Sequence, residues 1–179
     1  HPSVVFRKRL VEERGGYREG PFPEDYELWL RWLESGVRME KMPDTLLLWR
    51  DHDCRLSRSD PRYSSEAFYR MKLDYLSRWL KKNNPFHPKI KIWGAGRRTR
   101  SRAGLLEDHG NVITGFYDVD SRKTGHPRNG LIVHSIEGVP SPGKEFIVVM
   151  VGVRGAREKI SSFLQSRDHA EGVDYVLAA

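Results

Sequence analysis

Apolar residues recur along the first half of the chain at helical spacing. Leu28, Trp29, Trp32 and Leu33 share one face of the stretch 24–35, and Gly36 sits where a C-terminal cap belongs. Phe68, Met71, Leu76 and Leu80 mark a longer helix over 64–80. Weaker signals flank these two. Residues 4–6 read as extended, 8–13 as a helical turn or two ended by Gly15-Gly16, and the apolar run 45–49 as a strand or buried edge.

The second half has another rhythm. Residues 89–93, 112–117, 131–133, 146–151 and 175–177 predict strands, while 98–109 and 156–166 predict helices. The strand over 146–151 is apolar throughout, which suits burial on both faces. Strands alternating with helices predict a mostly parallel sheet covered on two sides. The fold class is therefore α/β: a mainly helical segment, then a small parallel-sheet domain. Between them, Lys81-Lys82-Asn83-Asn84-Pro85-Phe86-His87-Pro88 reads as a poor helix or strand interior. The expected organisation is a helical unit over 1–80, a linker over 81–88 and an α/β domain over 89–179.

Composition narrows the class. The 179 residues are 38% hydrophobic, 11% aromatic and 31% charged, the profile of folded protein rather than a disordered chain. The single cysteine, Cys54, excludes an internal disulfide framework and a Cys-rich zinc module. No apolar run approaches the roughly 20 residues of a membrane span, and residues 1–8 do not read as a signal peptide. The chain opens on His1 rather than methionine, which reads as a piece cut from a longer protein. The net charge of +7 is shared between the two halves and comes with no nucleic-acid-binding motif, so nucleic acid is not an expected partner.

Two clusters carry candidate chemistry. Gly94-Ala95-Gly96-Arg97-Arg98-Thr99 follows a strand and opens a helix, the setting of a dinucleotide-type phosphate turn. Glycines let the backbone approach a pyrophosphate, and the helix start presents free N–H groups. Asp118 follows 22 residues after Gly96, at the end of the next strand, where a carboxylate can accept from a ribose. Gly152 repeats the pattern after the apolar strand. The third glycine position is Thr99 and no hydride-transfer pair appears, so a purely structural turn and a nucleotide or nucleotide-sugar site both stand, with an NAD-dependent oxidoreductase as a lesser alternative. The second cluster is Glu24, Asp25 and Glu27 in the first turn of a helix. Complementation of the helix dipole by itself accounts for acids there.

Longer strings add a resemblance. They run His1-Pro2-Ser3-Val4-Val5-Phe6-Arg7-Lys8, Gly15-Gly16-Tyr17-Arg18-Glu19 and Glu24-Asp25-Tyr26-Glu27-Leu28-Trp29-Leu30-Arg31. Met42-Pro43-Asp44-Thr45-Leu46-Leu47-Leu48-Trp49-Arg50-Asp51-His52 and Ser57-Arg58 follow. In order and spacing they resemble the C-terminal stretch of the catalytic domain of family 2 glycosyltransferases, inverting enzymes of the GT-A fold. The resemblance implies a nucleotide-sugar donor, a hydroxyl acceptor and a cytoplasmic setting. It implies that Asp25 is the general base, that Glu24 shapes the site, that Arg50 meets the donor diphosphate and that His52 approaches a divalent metal, Mn or Mg. It also implies an N-terminal GT-A half, with its Asp-x-Asp motif, ahead of His1, and no activity from this piece alone.

Residues 88–179 resemble small Rossmann-like domains that follow some glycosyltransferases. They are similar too to the nucleotide-sugar-binding domain of sugar acyltransferases. The strings are Ile92-Trp93-Gly94-Ala95-Gly96, Gly115-Phe116-Tyr117-Asp118-Val119-Asp120, Gly130-Leu131-Ile132-Val133, Val149-Met150-Val151-Gly152 and Gly155-Ala156-Arg157-Glu158. That resemblance implies ligand contacts at Gly94, Gly96, Arg97, Asp118 and Gly152.

Overall fold

A computed structural model of the chain describes residues 3–179 except 49, 51 and 54, with the side chain of Leu56 also outside it. His1, Pro2, Trp49, Asp51 and Cys54, which figure in the readings above, lie outside the described residues. The chain divides into two compact units, His1–Tyr75 and Leu76–Ala179.

In the first unit, helix α1 (Lys8–Arg14) ends where Gly15 turns to a φ of 77°. Helix α2 (Glu24–Glu34) buries Leu28 and Trp32 on the face that the apolar spacing predicts. Trp32 meets Phe6 edge-on at 5.1 Å and Trp29 at 5.6 Å. A short helix α3 (Leu56–Ser59) leads to a 3-10 turn at Pro61–Tyr63, begun by the Asp60 carboxylate accepting from the Arg62 N–H at 2.9 Å. The apolar run departs from expectation. Residues 45–48 form no strand, and Leu46 and Leu48 are 71% and 92% exposed. Strand propensity needs a neighbouring strand to satisfy its backbone, and none is described in this unit.

Helix α4 (Ser65–Asn83) begins in the first unit and ends in the second. It continues through Lys81, Lys82 and Asn83, where the sequence suggested a linker. Lysines suit the last turn because the helix dipole is negative there. The stop comes at buried Asn84, whose side chain accepts from the Phe86 N–H at 2.8 Å and donates to the Lys89 carbonyl at 3.0 Å.

The second unit holds β1 (Lys89–Trp93), α5 (Arg97–Glu107), β2 (Val112–Asp118), β3 (Pro127–Arg128), β4 (Leu131–Ser135), β5 (Ile147–Val149), α6 (Ala156–Gln165) and β6 (Tyr175–Leu177). The six strands lie in the order β3-β4-β2-β1-β5-β6. Every pairing is parallel except β3 with β4. That antiparallel edge closes through Asn129 and Gly130, both at positive φ as a tight hairpin requires, and it takes Pro127 at little cost because an edge residue can spare its donor. The chain is thus α/β, with the alternation the sequence predicts. On one face Trp93, Tyr117, Ile147 and Val149 pack against Ile160 and Leu164 of α6. Among the described residues no helix is long and apolar enough to cross a membrane.

Candidate functional site

The three first-turn carboxylates of α2 separate into different roles. Pro23 fixes the entry to the helix with a φ of −66°, and no side chain caps it. Glu27 turns inward and is 4% exposed. It accepts from Arg31 Nε at 2.9 Å and from the Tyr75 hydroxyl at 2.9 Å. Arg31 reaches on to the carbonyls of Arg14 and Gly16, each at 2.6 Å, while Trp32 Nε1 donates to the carbonyl of Gly15 at 3.2 Å. Glu27 and Arg31 therefore bind the Gly15-Gly16 turn to α2.

Glu24 and Asp25 stay partly exposed. Asp25 Oδ1 accepts from the Tyr26 N–H at 2.7 Å. Glu24 Oε2 accepts from the Tyr63 hydroxyl at 2.6 Å, across 39 positions of sequence. That hydrogen bond, with burial and the carboxylate charge behind it, pushes the Tyr63 phenol up to about 12. Burial raises the Tyr17 phenol, and the charges of Asp25 and then Glu24 add to the rise. The structure thus gathers Glu24, Asp25, Tyr17 and Tyr63 at one helix start. Tyr63 has no signal in the sequence beyond being an aromatic residue after a turn-forming Asp-Pro. Tyr26 packs on Phe68 at 5.2 Å.

Arg50 and His52 are exposed. The His52 carbonyl accepts from the Arg55 N–H at 3.3 Å. Among the described residues no three His, Cys, Asp or Glu side chains gather as a metal site. His52 offers a single imidazole, which alone does not make a metal site.

In the second unit the glycine turn sits at the carboxyl edge of the sheet. Gly94 has a φ of 111°, and a Cβ there would stand 2.8 Å from the Val151 side chain. Glycine is required by both backbone and space. The same contact brings the Val151-Gly152 stretch after β5 beside the turn. Gly96 starts α5 without a side-chain cap, and Arg97 is exposed at its first position. Asp118 is 7% exposed. Its carboxylate accepts from the Ala95 N–H at 2.8 Å, the Asp120 N–H at 2.9 Å and Lys123 Nζ at 3.0 Å. Burial by itself pushes this acid up; the Asp120 and Ala95 amides and Lys123 outweigh it and hold it below the usual carboxylate range. Asp118 straps the glycine turn to the loop after β2 through the Ala95 and Asp120 N–H groups.

That strap has a pH signature. An acid whose folded pKa is depressed stabilises above its unfolded value, near 4, and loses that contribution as pH falls through the folded pKa. Asp118→Ala is expected to cost the second unit about 1.5–3 kcal/mol at neutral pH, the range for hydrogen bonds to a charged group. The gap between the melting curves of the two forms should narrow as pH falls below about 4; a pH-independent gap would mean that lost packing, and not charge, is the cause.

No family model matches the chain, and no solved structure does. The O-antigen biosynthesis glycosyltransferase WbnJ of Escherichia coli is 32% identical over 74 residues, 40% of this chain and 29% of that protein. The amylovoran biosynthesis glycosyltransferase AmsE of Erwinia amylovora is 43% identical over 47 residues, 26% of this chain and 18% of that protein. The chain therefore spans less than a third of either relative, and what it shares with glycosyltransferases is a weak, partial homology over a short region.

Proposed function

We propose that the first unit is the acceptor-side end of an inverting family 2, GT-A glycosyltransferase domain. The carrying observation is the partial homology to two glycosyltransferases, joined by a helix start that presents Glu24 and Asp25 beside two tyrosines. Asp25 takes the proton of an acceptor hydroxyl. That oxygen attacks the anomeric carbon of a nucleotide sugar, and the nucleoside diphosphate leaves from the opposite face, which inverts the centre. A carboxylate suits the step because it needs proximity and a modest basicity. Glu24 is already engaged by Tyr63 and shapes the site, while Arg50 neutralises the leaving diphosphate. If the enzyme uses Mn or Mg, His52 is one ligand and the rest come from the donor half. The cytoplasmic setting belongs to the same reading.

The donor-binding half is, on this reading, a separate stretch of the longer protein. Val5 at 98% exposed, together with Leu46 and Leu48, offers apolar surface of the kind such a half would cover. The 179 residues alone should release no nucleoside diphosphate from UDP-, GDP- or dTDP-sugars in the presence of mixed saccharide acceptors, whereas the full-length protein should. Sugar transfer by the isolated chain would overturn the fragment reading.

The second unit supports a companion reading as a Rossmann-like module for a nucleotide or nucleotide sugar. The uncapped start of α5 with Arg97 at the carboxyl edge favours it, and the engagement of the Ala95 N–H by Asp118 weighs toward a structural turn. Thermal shift decides: a ligand at 100 times its Kd stabilises by about 2.7 kcal/mol. UDP-sugars should raise the midpoint and NAD should not. A shift with NAD alone would favour the oxidoreductase alternative, and no shift with either would leave the turn structural.

A further inference from the structure

The chain holds four asparagines, Asn83, Asn84, Asn111 and Asn129. An asparagine modifies itself when the backbone nitrogen of the next residue reaches its own side-chain carbonyl carbon. The step needs a following N–H that is not hydrogen-bonded, a side-chain amide that can turn, and room for a five-membered ring. The structure denies these conditions at three of the positions and grants them at one.

Asn83 ends α4 with its side chain donating to the Trp79 carbonyl at 2.8 Å, and the Asn84 N–H that follows it donates to the Leu80 carbonyl at 2.9 Å. Asn84 is buried with both ends of its amide engaged, and the next residue, Pro85, has no N–H. Asn111 is also buried. Its amide donates to the Ser77 hydroxyl and the Leu106 carbonyl, each at 2.9 Å, and the Val112 N–H donates to the Pro88 carbonyl at 2.8 Å.

Asn129 differs on every count. It and Gly130 are exposed, and they form the turn between β3 and β4 at φ of 51° and 75°. Neither the Asn129 side chain nor the Gly130 N–H has a hydrogen-bond partner among the described residues. A Cβ on Gly130 would meet no atom within 4 Å, so the turn has space around it for a ring and for water. The turn is held by the Arg128–Leu131 pair at the end of a two-residue edge strand, which opens at lower cost than the buried parallel strands.

We infer that Asn129 is a site of spontaneous modification, converting in water to aspartate and isoaspartate through a cyclic imide with Gly130. The Gly130 nitrogen bonds to Cγ of Asn129, and the side-chain nitrogen leaves as ammonia. Water then adds to one of the two imide carbonyls and the C–N bond at that carbon breaks. Breaking the bond to Cγ gives aspartate; breaking the bond to the main-chain carbonyl carbon gives isoaspartate. The products differ in consequence. Asp-Gly suits the same tight hairpin turn as Asn-Gly, whereas isoaspartate adds a methylene to the main chain and disturbs the pairing of Arg128 with Leu131. The site is independent of the glycosyltransferase reading, since it involves neither the acidic helix start nor the glycine turn.

Incubating the folded 179-residue chain in mildly alkaline, heavy-oxygen water, then digesting it in acid for mass spectrometry, tests the inference. Residue 129 should exchange its amide nitrogen for one heavy oxygen and yield both aspartate and isoaspartate, while Asn83, Asn84 and Asn111 stay amides. The conversion should quicken as pH rises, because the Gly130 nitrogen attacks in its deprotonated form. Asn129→Gln, which would need a six-membered ring, should lose the label. Asn129→Asp should keep the NMR positions of the β3 and β4 amides, and the isoaspartate form should shift them. The inference is overturned if residue 129 converts only after unfolding in urea, if Asn83, Asn84 or Asn111 converts equally fast, if aspartate forms without isoaspartate, or if the label persists in Asn129→Gln.

Discussion

Asp25→Asn in the full-length protein is expected to lower turnover by about 10²–10⁴-fold, the usual range for loss of a positioned general base, while leaving donor binding nearly intact. The substitution isolates the proton step. Asparagine has almost the same volume, and its amide oxygen can still accept from the Tyr26 N–H, as Oδ1 of Asp25 does at 2.7 Å. The Tyr63 bond to Glu24 is untouched. What disappears is an oxygen that can take a proton from the acceptor. If Asp25 only complements the helix dipole, the change costs about 0.3–1 kcal/mol of stability and turnover stays near normal. Initial rates with saturating acceptor, set beside the Kd of the donor, separate the two. A matched fall in donor affinity would point to a disturbed site and count against the base.

Glu24→Gln provides an internal comparison at the same helix start. The amide retains an acceptor for the Tyr63 hydroxyl, and the Tyr63 phenol, now held at about 12 chiefly by that hydrogen bond, should return toward its ordinary value once the negative charge is gone. If Glu24 shapes the site and Asp25 performs the proton step, Glu24→Gln costs far less turnover than Asp25→Asn.

The sheet was legible because its information is local. Strands such as Lys89–Trp93 and Ile147–Val149 announce themselves by apolar content, and Gly94 by its place between a strand and a helix. The sites were legible only in part, because partners come from far along the chain. Glu24, Asp25 and Glu27 read alike in sequence, yet one meets Tyr63, one its neighbour's amide and one Arg31. Asp118 carries the sequence signal of a ribose acceptor, while its carboxylate is occupied by Ala95, Asp120 and Lys123. A pattern gives a residue's position along an element; the hydrogen-bond inventory of its neighbours decides what it does. The run 45–48 shows the same limit for structure, since leucines alone make no strand without a partner.

Arg31→Leu should be among the most destabilising single changes in the first unit. Arg31 and Glu27 are both largely withdrawn from water, with side chains 11% and 6% exposed. Removing the guanidinium leaves the Glu27 carboxylate with the Tyr75 hydroxyl at 2.9 Å and Arg18 at 3.6 Å. Stripping one partner from a buried ion pair costs about 3–5 kcal/mol, because the remaining charge keeps its desolvation penalty. The carbonyls of Arg14 and Gly16 lose their donor as well. Hydrogen exchange of the α2 amides reads the loss directly, with β1 and β5 amides showing whether it is confined to this unit. The double change Glu27→Leu with Arg31→Leu should recover much of it, since an apolar pair of similar volume carries no buried charge. A single-mutant loss below about 1 kcal/mol would class the pair with surface ion pairs. The outcome also bears on the acceptor side, because Glu24, Asp25 and Glu27 share one helical turn. A loosened Glu27 would displace the carboxylates that face solvent, and turnover in the full-length protein should then fall together with stability.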